Sequence, residues 1–134
     1  MRILVASVAM LVAACGFSAP IPADAQMVHL SRVDGHLVIE PRIARPGLTY
    51  LVIDEPLTGA EFIHRSADMD DPQSPPLPIS DADIESLEFQ DTFMGAVMVG
   101  LSVHDRRDFR LGALVAGKYA FMNTGELAIL EVAE

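Results

Sequence analysis

Hydrophobic and polar residues alternate along most of the chain after residue 25, with a period of two rather than 3.6. Because successive side chains of a β-strand point to opposite faces, this alternation predicts short strands with one buried face. The predicted strands are 27–33, 36–39, 48–53, 61–64, 84–90, 95–103, 109–114, 118–122 and 126–132. Short strands at roughly ten-residue spacing, separated by turn residues, favour an all-β sandwich or barrel.

Two segments depart from this pattern. Asp34-Gly35 lies between two predicted strands and suits the positive φ angles of a type I′ hairpin turn. The segment 68–83 holds five Asp and four Pro, and it is predicted to be an acidic irregular loop because proline fixes φ and removes a donor. Within it, Ser80 to Asp83 is predicted to cap a single turn of helix.

The first 25 residues have the layout of a secretory signal peptide. Arg2 provides a positive start, and residues 3–14 are uncharged and mostly apolar. As a helix they would span about 18 Å, which is too short for a bilayer core of about 30 Å. The small residues at 23–25 predict cleavage before Gln26. We therefore expect a signal peptide at 1–25 and one folded domain at 26–134.

A second interpretation of the same region remains open. Leu-Val-Ala-Ala-Cys at 11–15 resembles a bacterial lipobox, in which Cys15 would become the lipidated first residue. Cys15 would then provide a lipid anchor, whereas cleavage before Gln26 would remove the thiol. Both interpretations predict a periplasmic or secreted domain without a transmembrane segment.

Composition excludes several classes of function. The chain has 134 residues, enough for one domain, and a net charge of −10, which argues against nucleic-acid partners because phosphate recognition depends on Lys and Arg. A single Cys excludes a disulfide framework and a cysteine-based zinc site. Since no nucleophile motif or distinct acid–base pair is present, we do not expect an enzyme.

The order of short motifs in the domain resembles that of a known family. Pro-Arg-Ile-Ala-Arg-Pro at 41–46 is similar to the family's Ala-Trp-Ala-Arg segment, and Tyr-Leu-Val-Ile-Asp at 50–54 to its Tyr-Leu-Thr-Ile-Asn strand. Residues 87–98 are similar to its Val-Glu-Leu-His-Glu-Thr and Gly-x-Val-Met-x-Met runs, and 114–122 to Leu-x-Pro-Gly-Gly-Tyr-His-x-Met. The family is the PCu(A)C type of periplasmic copper chaperone. The resemblance implies a cupredoxin-like β-sandwich, in which 68–83 is an insertion.

The resemblance also implies a copper site, most of which this chain lacks. The family holds Cu(I) with a His, a Met and a His-x-Met pair, since soft thioether and imidazole ligands suit this ion. These positions fall on Gln90, Gly100, Ala120 and Met122 in turn. Met122 alone keeps its ligand type, so the resemblance implies Cu(I) binding that is weak or lost.

Other residues provide a candidate replacement site. Met98 shares a strand face with Gly100, and Met122 shares one with Ala120, so the two thioethers are candidate Cu(I) ligands. His104 lies just past the strand and is a third candidate, and Met94 is a further one. The competing interpretation is that the methionines fill the core and that His104 is a solvated loop residue.

Two functions follow from these observations. The first is copper handling in the cell envelope, in which Met98 and Met122 bind Cu(I) and pass it to an envelope acceptor protein. The second is a metal-free binding or scaffold module, in which the loop 68–83 and the strand edges carry recognition.

Overall fold

Ten strands and one helix make up the described part of the chain. The computed structural model describes residues 20–55, 57–68, 70, 74–89, 98–103 and 108–134. The elements are β1 Gln26–Val33, β2 His36–Glu40, β3 Ile43–Ala44, β4 Gly47–Ile53, β5 Glu61–Ser66, β6 Pro76–Leu77, α1 Asp81–Phe89, β7 Val99–Ser102, β8 Asp108–Leu114, β9 Gly117–Asn123 and β10 Glu126–Val132. Each predicted strand other than 84–90 corresponds to a strand of the structure, and in most of them the ends differ from the predicted ones. Residues 95–97 of the predicted strand 95–103 lie outside the described residues.

The strands form two mixed sheets. The first sheet has the order β2-β1-β4-β8, in which β1 and β4 are parallel and the other pairs are antiparallel. The second has the order β3-β10-β9-β5, and β5 also pairs with β7 along its first residues and with β6 at its end. The only parallel pair among the described strands of this sheet is β10 with β3. The predicted all-β sandwich is confirmed.

The main core lies between the two sheets. Alternate residues of β1 and β4 face it, including the fully buried Val28, Leu30 and Leu51. Phe62 of β5 faces them from the second sheet, and its ring lies 5.1 Å from that of Phe121, centroid to centroid. Period-two alternation on both facing sheets therefore buries one continuous apolar layer.

A second apolar cluster covers the outer face of the second sheet. It contains Ile63, Ala120 and Met98 from the strand side, together with Ile79 and Leu87 from the segment that includes α1. Ile63 follows Phe62 directly, and both are buried. The second sheet therefore buries both of its faces, one under the first sheet and the other under the helix.

The prediction of a strand at 84–90 is wrong, because residues 81–89 form the helix α1. The prediction of a single helical turn at 80–83 is also wrong, because the helix continues to Phe89. The Ser80 hydroxyl accepts from the Asp83 N–H at 3.1 Å, and the Asp83 carboxylate accepts from the Ser80 N–H at 2.9 Å, which is a capping box. Ile84 and Leu87, three residues apart, then pack against the second cluster. Residues 87–89 begin the run that resembles the family's Val-Glu-Leu-His-Glu-Thr motif, and they are therefore helical.

The prediction of an irregular loop over 68–83 is also wrong in its second half. Pro76–Leu77 forms β6 beside the end of β5, and Ile79 makes a β-bridge with Lys118. Residues 69 and 71–73 lie outside the described part of the chain. The prolines end regular pairing but do not prevent the segment from adding to the sheet at its edge.

The two hairpin turns are joined by a polar network at one end of the sandwich. Asp34 and Gly35 have φ angles of 52° and 80°, which confirms the predicted turn, and Thr124 and Gly125 form an equivalent turn with φ of 50° and 81°. The Arg32 guanidinium donates to the Gly35 carbonyl at 2.8 Å and to Glu126 at 3.0 Å. One side chain therefore links the β1–β2 hairpin to the β9–β10 hairpin.

The first strand, β1, begins at Gln26, the residue before which cleavage is predicted. Its side-chain amide donates to Thr49 at 2.9 Å and accepts from the Arg45 N–H at 3.3 Å. Cleavage after Ala25 would leave β1 whole. Residues 1–19 lie outside the described residues, and no helix in the part that is described is long and apolar enough to cross a membrane.

We expect Asp83→Asn to destabilise the fold by about 1–2 kcal/mol at pH 7, because a largely buried carboxylate loses charge-assisted hydrogen bonds from Arg65 and Ser80. Although burial raises the pKa of Asp83, these hydrogen bonds outweigh it and hold the pKa below its ordinary value of 3.8. The stabilising effect is present above that value and is lost as the pH falls through the lower, folded-state pKa. Urea unfolding at several pH values measures both effects.

Asp81→Asn is the matched control, since Asp81 lies in the same helix but is 84% exposed in its ion pair with Lys118. We expect this variant to change stability by less than about 0.5 kcal/mol. Equal costs for the two variants, or a cost for Asp83→Asn that does not shrink as the pH falls through the acid range, would contradict the assignment.

Candidate functional site

The structure places the two candidate methionine ligands in the same apolar cluster. Met98 comes directly before β7 and is 3% exposed. Met122 lies on β9, is partly buried, and packs against the cluster that contains Met98. His104 and Met94 lie outside the described residues, so their predicted roles stay predictions. The structure therefore brings two of the candidate ligands, Met98 and Met122, into one cluster.

The surroundings of Met98 are those of a core residue. The cluster consists of aliphatic side chains and Met122, with Ile63, Ile79 and Leu87 fully enclosed. A thioether in such a place fills space with a flexible, polarisable chain. Within the described ranges, no three His, Cys, Asp or Glu side chains are grouped so that they could hold a metal ion. The geometry favours core packing for Met98.

The positions that the resemblance assigns to ligands do lie close together. Gly100 of β7 and Ala120 of β9 both pair with Ile63, from opposite sides of β5. Neighbouring strands are about 4.8 Å apart, so the two Cα atoms are separated by about 10 Å on one face of the sheet. Met122 follows two residues along β9 on the same face. Neither Gly100 nor Ala120 carries a side chain that could bind a soft metal.

A separate feature of the fold is a cleft of about 560 Å³ between the two sheets. On one side it is lined by β5 and β7, and on the other by β8, which is the last strand of the first sheet. Its walls include the apolar side chains of Phe62, Leu101, Phe109 and Leu111. The polar residues His64, Ser66, Asp68 and Ser74 also line it. The cleft therefore combines an apolar interior with a few hydrogen-bonding groups.

His64 is the most constrained polar group of the cleft. It lies on the same face of β5 as Phe62, with a ring-centroid distance of 5.0 Å, and is 9% exposed. Its Nδ1 lies 2.8 Å from the Arg65 carbonyl and donates its proton there. Burial lowers the pKa of His64, and this outweighs the opposing effect of the bond to Arg65. The imidazole is therefore neutral at pH 7.

The second ring nitrogen of His64, Nε2, has no hydrogen-bond partner among the described residues. His64 is one of the residues that line the cleft. With the proton on Nδ1, Nε2 is a hydrogen-bond acceptor.

His64 and Met98 lie on opposite faces of the second sheet. Val99 pairs with His64, and Met98, one residue earlier, belongs to the cluster under the helix. The sheet therefore separates the imidazole from both methionines. A single site cannot contain all three side chains.

The sequence interpretation did not identify the cleft or His64. Alternation places Phe62 and His64 on one strand face, and this was the available signal. The opposing wall comes from β8, more than forty residues later in the chain, and its position depends on sheet order. Such a cleft is a product of tertiary structure.

No model of a known protein family matches the chain, and no curated protein matches it.

Proposed function

We propose that the chain is a metal-free binding module of the cell envelope and that the cleft between its sheets is the binding site. The observation that carries this proposal is the neutral, nearly buried His64, which lines an apolar cleft and whose Nε2 has no hydrogen-bond partner among the described residues. Ligand sites are typically apolar clefts with a small number of fixed polar groups. The methionines that would bind copper instead lie in an aliphatic cluster.

The cleft also agrees with the expectation that the loop 68–83 and the strand edges carry recognition. Asp68, Ser74 and Pro76 from that segment line the cleft. In the described part of the chain, β7 pairs only with β5 and β8 only with β4, so both are edge strands beside the cleft. The segment and the edges therefore contribute to one site.

Kinship with the copper chaperones, including a cupredoxin-like sandwich, is part of the same proposal. Two observations support it: the two mixed sheets, and the position of Gly100 and Ala120 on either side of Ile63. The helical conformation of residues 87–89 weighs against that part of the resemblance. On this proposal the chain retains the sandwich and has lost the ligand side chains.

We further propose export with cleavage before Gln26, since β1 begins at that residue. We expect the mature protein, purified from the periplasm of an expressing bacterium, to start at Gln26 by intact-mass spectrometry. Ala25→Lys is expected to leave the precursor uncut, because the cleavage site needs a small residue. Cys15→Ser is the control and should change nothing; a lipidated Cys15 as first residue would overturn this expectation.

Leu101→Trp tests the cleft as a binding site. Leu101 lines the cleft from the edge strand β7 and is 40% exposed, so the larger ring would occupy the cleft while a large part of it remains in solvent. We expect the variant to weaken binding of the neutral dye Nile red about tenfold, a loss of about 1.4 kcal/mol. Dye fluorescence during a protein titration measures this.

Val115→Trp is the matched control, because Val115 is 46% exposed and does not line the cleft. Unchanged dye binding in this variant, with weakened binding in Leu101→Trp, supports the proposal. Equal dye affinities in the two variants and the wild type would show that the dye does not use the cleft.

Copper handling is the second candidate function, and the common cluster of Met98 and Met122 favours it. The two thioethers would bind Cu(I) and transfer it to an envelope acceptor protein. The binding would require the partly buried Met122 to remain accessible. Soft-ligand chemistry supports this candidate, whereas the aliphatic surroundings of Met98 oppose it.

A Cu(I) competition titration against a chromophoric chelator separates the two candidates. We expect the wild type and the Met98→Leu/Met122→Leu variant to compete equally for Cu(I), because on the proposed function these methionines pack in the aliphatic cluster and do not bind the ion. The exchange conserves volume and costs less than about 1.5 kcal/mol of stability at each position, so the variant should fold. Met27→Leu, at an exposed methionine, is the control for adventitious binding. A wild-type advantage of tenfold or more that the double variant loses would establish copper handling instead.

A further inference from the structure

The hydrogen-bonding state of His64 restricts what the cleft can bind. A neutral imidazole has one donor and one acceptor, and the donor Nδ1 is committed to the Arg65 carbonyl. The remaining Nε2 needs a donor. A ligand without one would exclude water from this acceptor and leave it unpaired, which opposes binding.

The walls of the cleft restrict the shape of the ligand. The Phe62 ring, inclined by 33° to that of His64, is fixed in the core by a second ring, Phe121. Phe109 and Leu111 of β8 line the opposite wall. Aromatic rings pack well against such surfaces in offset or edge-on arrangements. The volume of about 560 Å³ lies within the range of small-molecule sites.

Charge restricts the ligand further. The chain has a net charge of −10, so its overall field disfavours anions. In the lining of the cleft the exposed Asp68 and Arg110 carry opposite charges, so the lining has no net charge. The neutral His64 offers no positive charge to an anion.

We infer that the cleft binds a small uncharged aromatic molecule with one hydrogen-bond donor, of the phenol class, whose hydroxyl donates to His64 Nε2. This inference rests on the proposed function, in which the cleft is the binding site. The ring lies between Phe62 and the β8 wall, and the hydroxyl completes the hydrogen bonding of the imidazole. His64 is thus the residue that determines specificity.

The test compares three matched probes by ¹H–¹⁵N NMR titration of the purified protein. They are 4-methylphenol, toluene, which lacks the hydroxyl, and 4-methylbenzoate, which replaces it with a negative charge. We expect 4-methylphenol to bind about tenfold more tightly than toluene, as one hydrogen bond allows, and 4-methylbenzoate to bind most weakly. The shifted amide signals should belong to β5, β7 and β8.

Two further measurements test the role of His64. In His64→Phe the preference for 4-methylphenol over toluene should disappear, whereas His29→Phe, at a half-exposed histidine that does not line the cleft, should retain it. If His64→Phe does not fold, the ¹⁵N signal of Nε2 in the wild type provides the same test. It should move with 4-methylphenol and stay in place with toluene.

The outcomes distinguish this inference from the proposal on which it rests. Equal binding of toluene and 4-methylphenol, both weakened by Leu101→Trp, would overturn the phenol inference and leave the cleft as a binding site. Tightest binding of 4-methylbenzoate would likewise overturn the inference, in favour of an anionic ligand. Absence of binding by all three probes, together with equal dye binding in Leu101→Trp and the wild type, would overturn both.

Discussion

Hydrophobic contact on both faces of the second sheet is the interaction on which the arrangement of the chain depends. Phe62 and Ile63 are consecutive and buried, as are Tyr119, Ala120 and Phe121. Burial of each large apolar side chain contributes about 1.5–3 kcal/mol, so neither face can be left in water without a large loss of stability. The first sheet covers one face, and α1 with the residues before it covers the other.

The same contact determines what Met98 can do. Cu(I) carries a positive charge, and its transfer into an aliphatic cluster would require compensation by ligands or a counter-charge. Ile63, Ile79 and Leu87 offer neither. A methionine in that cluster contributes more through packing than through ligation.

Local sequence patterns predicted the parts of the fold that depend on local chemistry. The Asp34-Gly35 turn and the strands of the first sheet follow from positive-φ preference and one-sided burial. The helix over 81–89 was missed because the apolar Leu87 and Phe89 are two residues apart, which is the spacing of a strand face. The burial of Leu87 depends on the outer face of a sheet built from distant residues. The sequence indicated the helix cap at Ser80 but did not indicate how far the helix extends.

The position of the cleft depends on how the two edges of the sandwich differ. Along one edge, β2 lies against β10, and Glu126 accepts from the Leu37 N–H at 2.9 Å and from Arg32. The Leu37 hydrogen bond, with help from Arg32 and His36, holds the pKa of Glu126 below its ordinary value.

No comparable network joins the opposite edge within the described residues. There Pro76 of β6 contacts Gly112 of β8, where an added Cβ would lie 3.2 Å from the proline ring. Gly112 also has a φ of 110°, which other residues rarely adopt, so the backbone favours glycine at this close approach. This contact holds β8 near the second sheet at Pro76. Beside it the sheets leave the cleft that His64 lines, and the proposed binding site is therefore a consequence of an edge that is closed only in part.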